Sequence, residues 1–338
     1  MLKSWRFWVG CAISLVLLFL FFYQVDFGEM GQALAGARYI FVLPAIVVLI
    51  IDMGLKAWRW QFLLKPLKSI PLRSVFSIEV IGHMANAILP LRIGELVRAY
   101  LLGEKEQVSK ISALATVAVP RAFDGLALLF VAAVLSLFLP LADWLRQAIY
   151  ITAAVFLSAL IIFLLLASSR GRLERVGTFL LRPLPQRWST KLQGWLSLFI
   201  FGLETIRSPR RTFLVFLMSV LAWVAEGTMF YLIAFSFDLG QPFHVLLLAS
   251  TAANLALLLP AAPGGVGNFE YFTVQALAIF GVGGSLARAY AIAVHALLLL
   301  PIILLGFYFL WVENISLAEM ARRQKKAILP DKSQGDIE

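Results

Sequence analysis

The sequence is poor in the residue types that soluble chemistry relies on. It has one cysteine, Cys11, and three histidines in 338 residues. A lone thiol excludes a disulfide framework or a cysteine-built zinc site within one chain. No glycine-rich phosphate loop of the Walker type occurs, so ATP use by this chain alone is not expected. Nor is there a nucleophile–histidine–acid pattern or a metal-spaced cluster, which leaves little for hydrolytic catalysis. Charge is scarce too: 14% of residues are charged, against about 25% in soluble domains.

What the chain has instead is apolar mass. Hydrophobic residues make up 61% and the mean hydropathy is +0.88, whereas soluble domains carry about 45–50% apolar residues. A soluble core has no room for that much apolar surface, and a bilayer removes the difficulty by solvating it. The net charge is +10. In a soluble chain this would suggest nucleic acid. Here the basic residues gather between apolar runs, the pattern of orientation signals and of contact with anionic lipid headgroups.

A membrane-crossing helix needs about 20 mainly apolar residues. Six stretches meet that: about 5–23, 39–58, 112–140, 149–167, 212–235 and 286–311. The first follows a basic start, Met1–Arg6, and the Ala33-x-Ala35 pattern lies well past its apolar run, so it reads as a retained span. Two further regions, about 75–102 and 243–281, are apolar but interrupted. The interruptions are Pro90 with Gly94, and Pro260 with Pro263, Gly264, Gly265 and Gly267.

With the amino terminus inside, the cytoplasmic segments hold Lys3, Arg6, Lys65, Lys68, Arg73, Lys105 and Lys110. They also hold the basic cluster from Arg170 to Arg211, and Arg322, Arg323, Lys325 and Lys326. The other side receives only Arg38, Arg146 and Arg288. This asymmetry works only if each interrupted region enters and leaves on one side. Both therefore read as re-entrant helical hairpins, tolerated at membrane depth where protein or a water-filled cavity surrounds them. Residues about 188–207 place Leu192, Trp195, Leu196, Phe199, Leu203 and Ile206 at helical spacing, as in an amphipathic helix lying on the cytoplasmic leaflet. The polar stretch 313–338 reads as a cytoplasmic disordered tail, after one membrane domain over 1–312. Both termini are expected in the cytoplasm, on the cell membrane.

The interruptions repeat each other. The first reads Asn86-Ala-Ile-Leu-Pro90-Leu-Arg92-Ile-Gly94-Glu95. The second runs from Asn254 through Leu259-Pro260 to Pro263-Gly264-Gly265-Val-Gly267-Asn-Phe-Glu270. Each has an Asn, a Leu-Pro step, glycine, then Glu opening a second helix. On the topology above they enter from opposite faces. Paired interruptions in opposite halves point to an inverted repeat with a substrate site near the midplane. A helix starting inside the membrane presents unpaired N–H groups and a positive dipole end, which attract anions. Glycines allow a ligand to approach the backbone, and Pro90 and Pro260 end the incoming half-helices.

Ionisable residues at membrane depth are functional candidates by default. They are Asp52, Lys56, Glu79, His83, Arg92, Glu95, Arg98, Arg121, Asp124, Glu226 and Glu270. Plainer readings stand beside that. Asp52 and Lys56 are placed to pair on one helix face, and Lys56 and Arg59 to snorkel to the interface. Glu95 with Arg98, and Arg121 with Asp124, are spaced as local pairs. Glu95 and Glu270 fit the first turns of their half-helices, and His83 fits a hydrogen-bonded interior histidine. Glu226 has no local partner, which makes it the leading proton-carrier candidate, followed by Glu95, Glu270 and Asp52.

At Asn86–Arg98, Ala115–Gly125 and Leu258–Glu270 the chain resembles the transmembrane, flippase-like domain attached to lysylphosphatidylglycerol synthase, a family that also has stand-alone members. The signatures are N-x-x-L-P-x-R-x-G-E and P-G-G-x-G-x-x-E, and the resemblance covers about residues 5–312. It implies translocation of a lipid between leaflets. In fused members the cargo is aminoacylated phosphatidylglycerol; stand-alone members are associated with hopanoids and glycolipid precursors. Two departures matter. Pro120 stands before Arg121 where the family often has Glu, and no soluble aminoacyl-transfer domain follows Trp311, so the synthase reaction does not carry over.

The expected fold is an all-α polytopic membrane protein of about six full spans plus two oppositely oriented re-entrant hairpins. The expected activity is flipping of a polar-headgroup lipid, with an integral membrane enzyme, or an accessory protein acting on a lipid-linked substrate, as alternatives. Candidate substrate contacts are Asn86, Pro90, Arg92, Gly94, Glu95, Arg98, Arg121, Asp124, Asn254, Pro260, Gly264, Gly265, Gly267 and Glu270. No catalytic residue, metal or cofactor is expected. Candidate partners are membrane lipids, anionic phospholipid headgroups, a lipid-synthesising enzyme and a second copy of the chain; nucleic acid is not among them.

Overall fold

The computed structural model describes residues 5–23, 25–89, 93–141, 143–167 and 208–313, with isolated positions between 192 and 201. Among the described residues all regular structure is helical. In chain order the α-helices are α1 (Trp5–Phe22), α2 (Phe27–Gly36), α3 (Val42–Leu64), α4 (Leu72–Ile88), α5 (Gly94–Glu106) and α6 (Lys110–Leu135). They continue with α7 (Asp143–Ala167), α8 (Pro209–Ser236), α9 (Phe243–Ala256), α10 (Asn268–Ala278) and α11 (Gly284–Val312). The expected interfacial helix at 188–207 falls almost wholly outside the described residues, and the tail beyond Glu313 entirely so.

Tyr39–Leu64, Lys110–Leu135, Pro209–Ser236 and Gly284–Val312 are long and apolar enough to cross a membrane. Cys11–Phe22 and Phe27–Gly36, bent by 86° at their junction, make a fifth if taken as one span. The bend comes where Asp26 caps α2, its Oδ1 accepting from Gly28 N (2.8 Å) and Glu29 N (3.0 Å), a standard start signal. Of the six expected spans, then, four or five meet the length and composition required. Stretch 149–167 falls on α7, where the described apolar run is the shorter Ile149–Ser158. Leu43, Val47, Ile50 and Ile51 of α3 and Leu300, Leu304 and Phe307 of α11 are exposed. Side chains like these, in rows along long apolar helices, are solvated by lipid and not by water. The chain is a multi-pass membrane protein.

The centre of the fold is the pair α3 and α8, which run antiparallel. Arg38 N donates to Ser236 O (2.9 Å) at one end, and Arg59 Nη1 donates to Ser219 Oγ (2.5 Å) toward the other. Arg59 also forks onto Asp124 of α6, with Nη1–Oδ1 at 2.5 Å and Nη2–Oδ2 at 3.2 Å. This two-point clamp fixes α6 to the central pair. Arg59 is only 3% exposed, so it does not snorkel to an interface as its position near the end of the apolar run suggested.

Each central helix leads through a short connection into a helix pair. Residues 65–71 join α3 to α4, and α4 folds back on α5. Lys68 Nζ (3.0 Å) and Ser74 Oγ (2.9 Å) both donate to the carboxylate of Glu106, at the far end of α5. At the other end Asn86 Oδ1 accepts from Gly94 N (2.7 Å). Residues 237–242 join α8 to α9, which packs on α10, and Asn268 Nδ2 donates to Ala256 O (3.3 Å). Because α3 and α8 are antiparallel, the two hairpins open at opposite ends of the central pair. Their halves are short: the 17 residues of α4 span about 26 Å and the 14 of α9 about 21 Å at 1.5 Å per residue. Both fall short of a hydrocarbon core of about 30 Å.

The halves then cross-brace. α4 packs antiparallel on α11, with Ser77 Oγ donating to Glu313 Oε1 (2.5 Å), and α9 packs on α6. At the α4–α11 crossing Gly306 lets the helices close up: a Cβ there would stand 2.6 Å from Met84 Cβ and 2.7 Å from its sulfur.

Two outcomes test these contacts in detergent-purified protein by thermal unfolding. Gly306→Leu is expected to lose about 1–3 kcal/mol or more through overpacking. Gly31→Ala is expected to lose nothing, since no neighbour lies within 4 Å of a Cβ there. Asp124→Ala strands the buried Arg59 guanidinium and is expected to lose about 3–5 kcal/mol, whereas Arg59→Met with Asp124→Leu recovers most of it. Equal losses in the single and double variants would contradict the clamp.

Candidate functional site

The turn of hairpin two meets the end of α4 in hairpin one. Gly264, with φ +71°, lies in the short 3₁₀ turn Pro263–Gly265. A Cβ on it would stand 3.3 Å from the Ala87 carbonyl oxygen at the end of α4. Beside this meeting point is a cavity of about 130 Å³, with hairpin one supplying His83, Asn86 and Ala87 and hairpin two Asn254, Leu257 and Gly264. The long helices complete it with Asp52 and Lys56 of α3, Arg121 of α6, Trp223 and Glu226 of α8, and His295 of α11. A space needs only about 10–15 Å³ to admit one water, so this one has room for several.

The charges around the cavity are compensated in pairs, one within α3 and the others between helices. Lys56 Nζ lies 2.7 Å from Asp52 Oδ2 and 3.5 Å from Glu226 Oε2, and 5.0 Å from the centre of the Trp223 ring. Glu226 Oε1 accepts from Asn254 Nδ2 (2.6 Å). The acid that lacked a partner along its own helix is therefore the junction between α3, α8 and hairpin two. Asp52 Oδ1 has no partner among the described residues. The Asp52–Lys56 pair expected from the i,i+4 spacing is present, but Lys56 is 7% exposed and does not snorkel.

The other two local pairings are replaced by longer-range ones. Arg98 pairs with Glu79 across the α4–α5 hairpin, and Glu95 pairs with Arg121 of α6. Asp124 takes Arg59 instead of Arg121. An i,i+3 spacing only permits a pair; here the hairpin brings stronger partners face to face. His83 behaves as the interior histidine expected, its Nδ1 3.0 Å from Glu79 O.

The helix starts differ from the expected anion sites. Gly94 N is satisfied by Asn86, and Gly267 N donates to Glu270 Oε2 (2.7 Å). At each helix start the chain itself thus takes one N–H group, and among the described residues the basic side chains of Lys56 and Arg121 line the cavity. The glycines separate in the same way. Gly264 lines the cavity, but the others serve close packing of the chain on itself. A Cβ on Gly94 would meet the Asn86 side chain at 2.6 Å, and one on Gly267 would meet the Ser14 carbonyl oxygen of α1, also at 2.6 Å. At Gly265 the space is filled by Leu257.

Of the residues singled out from the sequence, Asp52, Asn86, Arg121, Glu226, Asn254 and Gly264 line the cavity. Glu95 and Glu270 stand one step behind it, holding Arg121 and His295. Arg98 and Asp124 are buried in structural pairs, and Pro260 is exposed. Pro90 and Arg92 lie outside the described residues. Three aromatic cavity residues escaped sequence reasoning, Trp223, Phe269 and His295. His295 had a signal: Glu270 is followed by a base on the next long helix at nearly the spacing that separates Glu95 from Arg121. In the structure Glu270 Oε1 meets His295 Nδ1 at 2.6 Å.

Comparison with known proteins agrees with this architecture. The family model described as the lysylphosphatidylglycerol synthase TM region matches residues 7–306. A UPF0104 membrane protein of Methanothermobacter thermautotrophicus is 26% identical over 279 residues, covering 78% of this chain and 82% of the relative. One from Methanocaldococcus jannaschii is 25% identical over 248 residues, covering 71% and 98%. Glycosyltransferase AglD of Haloferax volcanii is 26% identical over 318 residues, covering 85% of this chain but only 51% of AglD, so the chain spans about half the length of that relative. With the match running across both hairpins and every long helix, the chain belongs to the lysylphosphatidylglycerol synthase transmembrane-region family.

Proposed function

We propose that this protein moves a polar-headgroup lipid between the leaflets of the cell membrane, with the headgroup passing through the cavity between the two hairpin turns and the acyl chains staying in lipid. One observation carries the reading: residues from both hairpins line one cavity that carries charged and amide side chains within a bundle of long apolar helices. On this reading the hairpins are re-entrant, dipping from opposite faces as the two halves of an inverted repeat, and the Lys and Arg asymmetry puts both termini in the cytoplasm. A headgroup leaving water needs its hydrogen bonds replaced. Asn86, Asn254, Asp52, Glu226, Lys56 and Arg121 offer donors and acceptors of both kinds, which suits an anionic or aminoacylated phospholipid, or a related glycolipid. Arg92, which follows the Leu-Pro step between α4 and α5 in the sequence, is the proposed first contact for a phosphate. Asp52, Glu95, Glu226 and Glu270 are the candidates for carrying a coupling proton. No residue is assigned to catalysis.

A second reading follows from the name of one relative. AglD is called a glycosyltransferase, and on this second reading the chain serves such chemistry by presenting a lipid-linked substrate to an enzyme without transporting it.

Reconstitution separates the two. Purified protein in liposomes carrying a fluorescent phosphatidylglycerol is expected to bring inner-leaflet lipid within reach of a membrane-impermeant reductant. Arg92→Ala and Asn254→Ala are expected to slow this by about tenfold or more, the worth of a hydrogen bond to a charged group, with an unchanged gel-filtration profile. Wild-type rates in both variants would remove these residues from the site, and no lipid movement by the wild type would favour the presenting role.

A further inference from the structure

The hydrogen bonds of His295 contain a proton count. Nε2 lies 3.0 Å from the carbonyl oxygen of Gly264, and Nδ1 lies 2.6 Å from Glu270 Oε1. A carbonyl oxygen only accepts, so Nε2 must carry a hydrogen. A neutral imidazole would then turn a lone pair at Nδ1 toward a carboxylate, and 2.6 Å requires a proton between them. Both contacts exist together only when the pair holds one proton more than a neutral imidazole beside a carboxylate. Either imidazolium faces carboxylate, or neutral imidazole faces carboxylic acid. When that proton leaves, one N–H remains for two acceptors and one contact must break.

The geometry says which. Glu270 is anchored in its own helix by Gly267 N, and the Phe269 ring stacks on the imidazole with centroids 4.3 Å apart. A carboxylate is a stronger acceptor than a carbonyl. The surviving N–H therefore goes to Glu270, and the Gly264 carbonyl loses its donor. Gly264 belongs to the turn that meets Ala87 and forms part of the cavity wall. The matching pair in the other half, Glu95 with Arg121, has no such freedom, because a guanidinium keeps its proton.

We propose that Glu270 and His295 form a one-proton latch that holds the Pro263–Gly265 turn in the cavity wall and releases it on deprotonation, making hairpin two the proton-sensitive half of the protein. The latch rests on the transport reading above and supplies its regulation. Facing it across the cavity are Asp52 and Lys56 of α3, His83 of α4, Arg121 of α6 and Glu226 of α8. Asp52, Lys56, Arg121 and Glu226 are bound in ion pairs, and His83 is held on its own helix by Glu79, with Nδ1 3.0 Å from its carbonyl oxygen and 3.5 Å from its carboxylate. Glu29 of α2, which also packs on α11, is exposed.

The test reads the turn directly. A single thiol is placed beside it as Ala261→Cys in a Cys11→Ser background, and its reaction with a water-soluble maleimide is followed in proteoliposomes from about pH 5.5 to about pH 8.5, the range a histidine covers. The reference is the same protein carrying Glu270→Gln. An amide donates to Nδ1 and still accepts from Gly267 N, so the turn stays latched with no extra proton. Dividing the two rates at each pH cancels the ionisation of the thiol itself. The ratio is expected to rise with pH by about tenfold, the span of a one-proton step over one pH unit. His295→Arg, which copies the other half, is expected to match Glu270→Gln. A ratio that stays flat against both variants overturns the latch. The fluorescent-lipid assay on the same vesicles keeps the two ideas apart. A rising ratio with no lipid movement at any pH leaves the latch standing and sinks transport; lipid movement with a flat ratio does the reverse.

Discussion

The structure depends on one constraint: an ionised side chain inside an apolar bundle must meet its counter-charge there, because lipid offers none. Stranding one such charge costs several kcal/mol. The chain meets the constraint by pairing across helices. Arg59 binds α3 to α6 and α8, Lys56 and Glu226 bind α3 to α8, and Glu79 with Arg98 closes hairpin one. Helix packing in lipid lacks a hydrophobic drive, since lipid tails are as apolar as leucine. Polar links of this kind, with close approaches at Gly306 and Gly94, decide which helices touch and in what register.

The same links create the site. Short half-helices leave a gap where the turn of hairpin two meets the end of α4, and charged pairs line it. On the proposed reading, its two signs of charge, amide groups and aromatic wall suit a headgroup that is itself mixed in character. Its surroundings are two copies of one plan: a long helix, a hairpin opened by a first-turn glutamate, and a second long helix offering that glutamate a base. The copies differ in the base. One half offers its glutamate an arginine and the other a histidine, and the proposed latch rests on that difference.

Much of this was legible in the chain. Apolar runs marked the long helices, and the paired Asn–Leu–Pro–Gly–Glu interruptions marked both hairpins and placed Asn86, Asn254 and Gly264 at the cavity. Glycine reasoning went astray because a missing Cβ looks alike whether a ligand or another helix fills the space: Gly94, Gly265 and Gly267 are filled by the chain itself. Local charge spacing misled for a related reason. Glu95 and Arg98 share a helix, but each has a better-placed partner on a neighbour, and only the hairpin geometry reveals it.

The sequence alone determined that the chain lives in a membrane, where its helices break, and which glutamates open the second helix of each hairpin, because periodicity, proline and hydropathy act over a few residues. Tertiary structure decided who neutralises whom. It took Lys56 and Arg59 from the interface to the interior, made Glu226 a junction, and brought His295 to Glu270. Charges find their partners through space, and the distances that matter here join residues far apart along the chain.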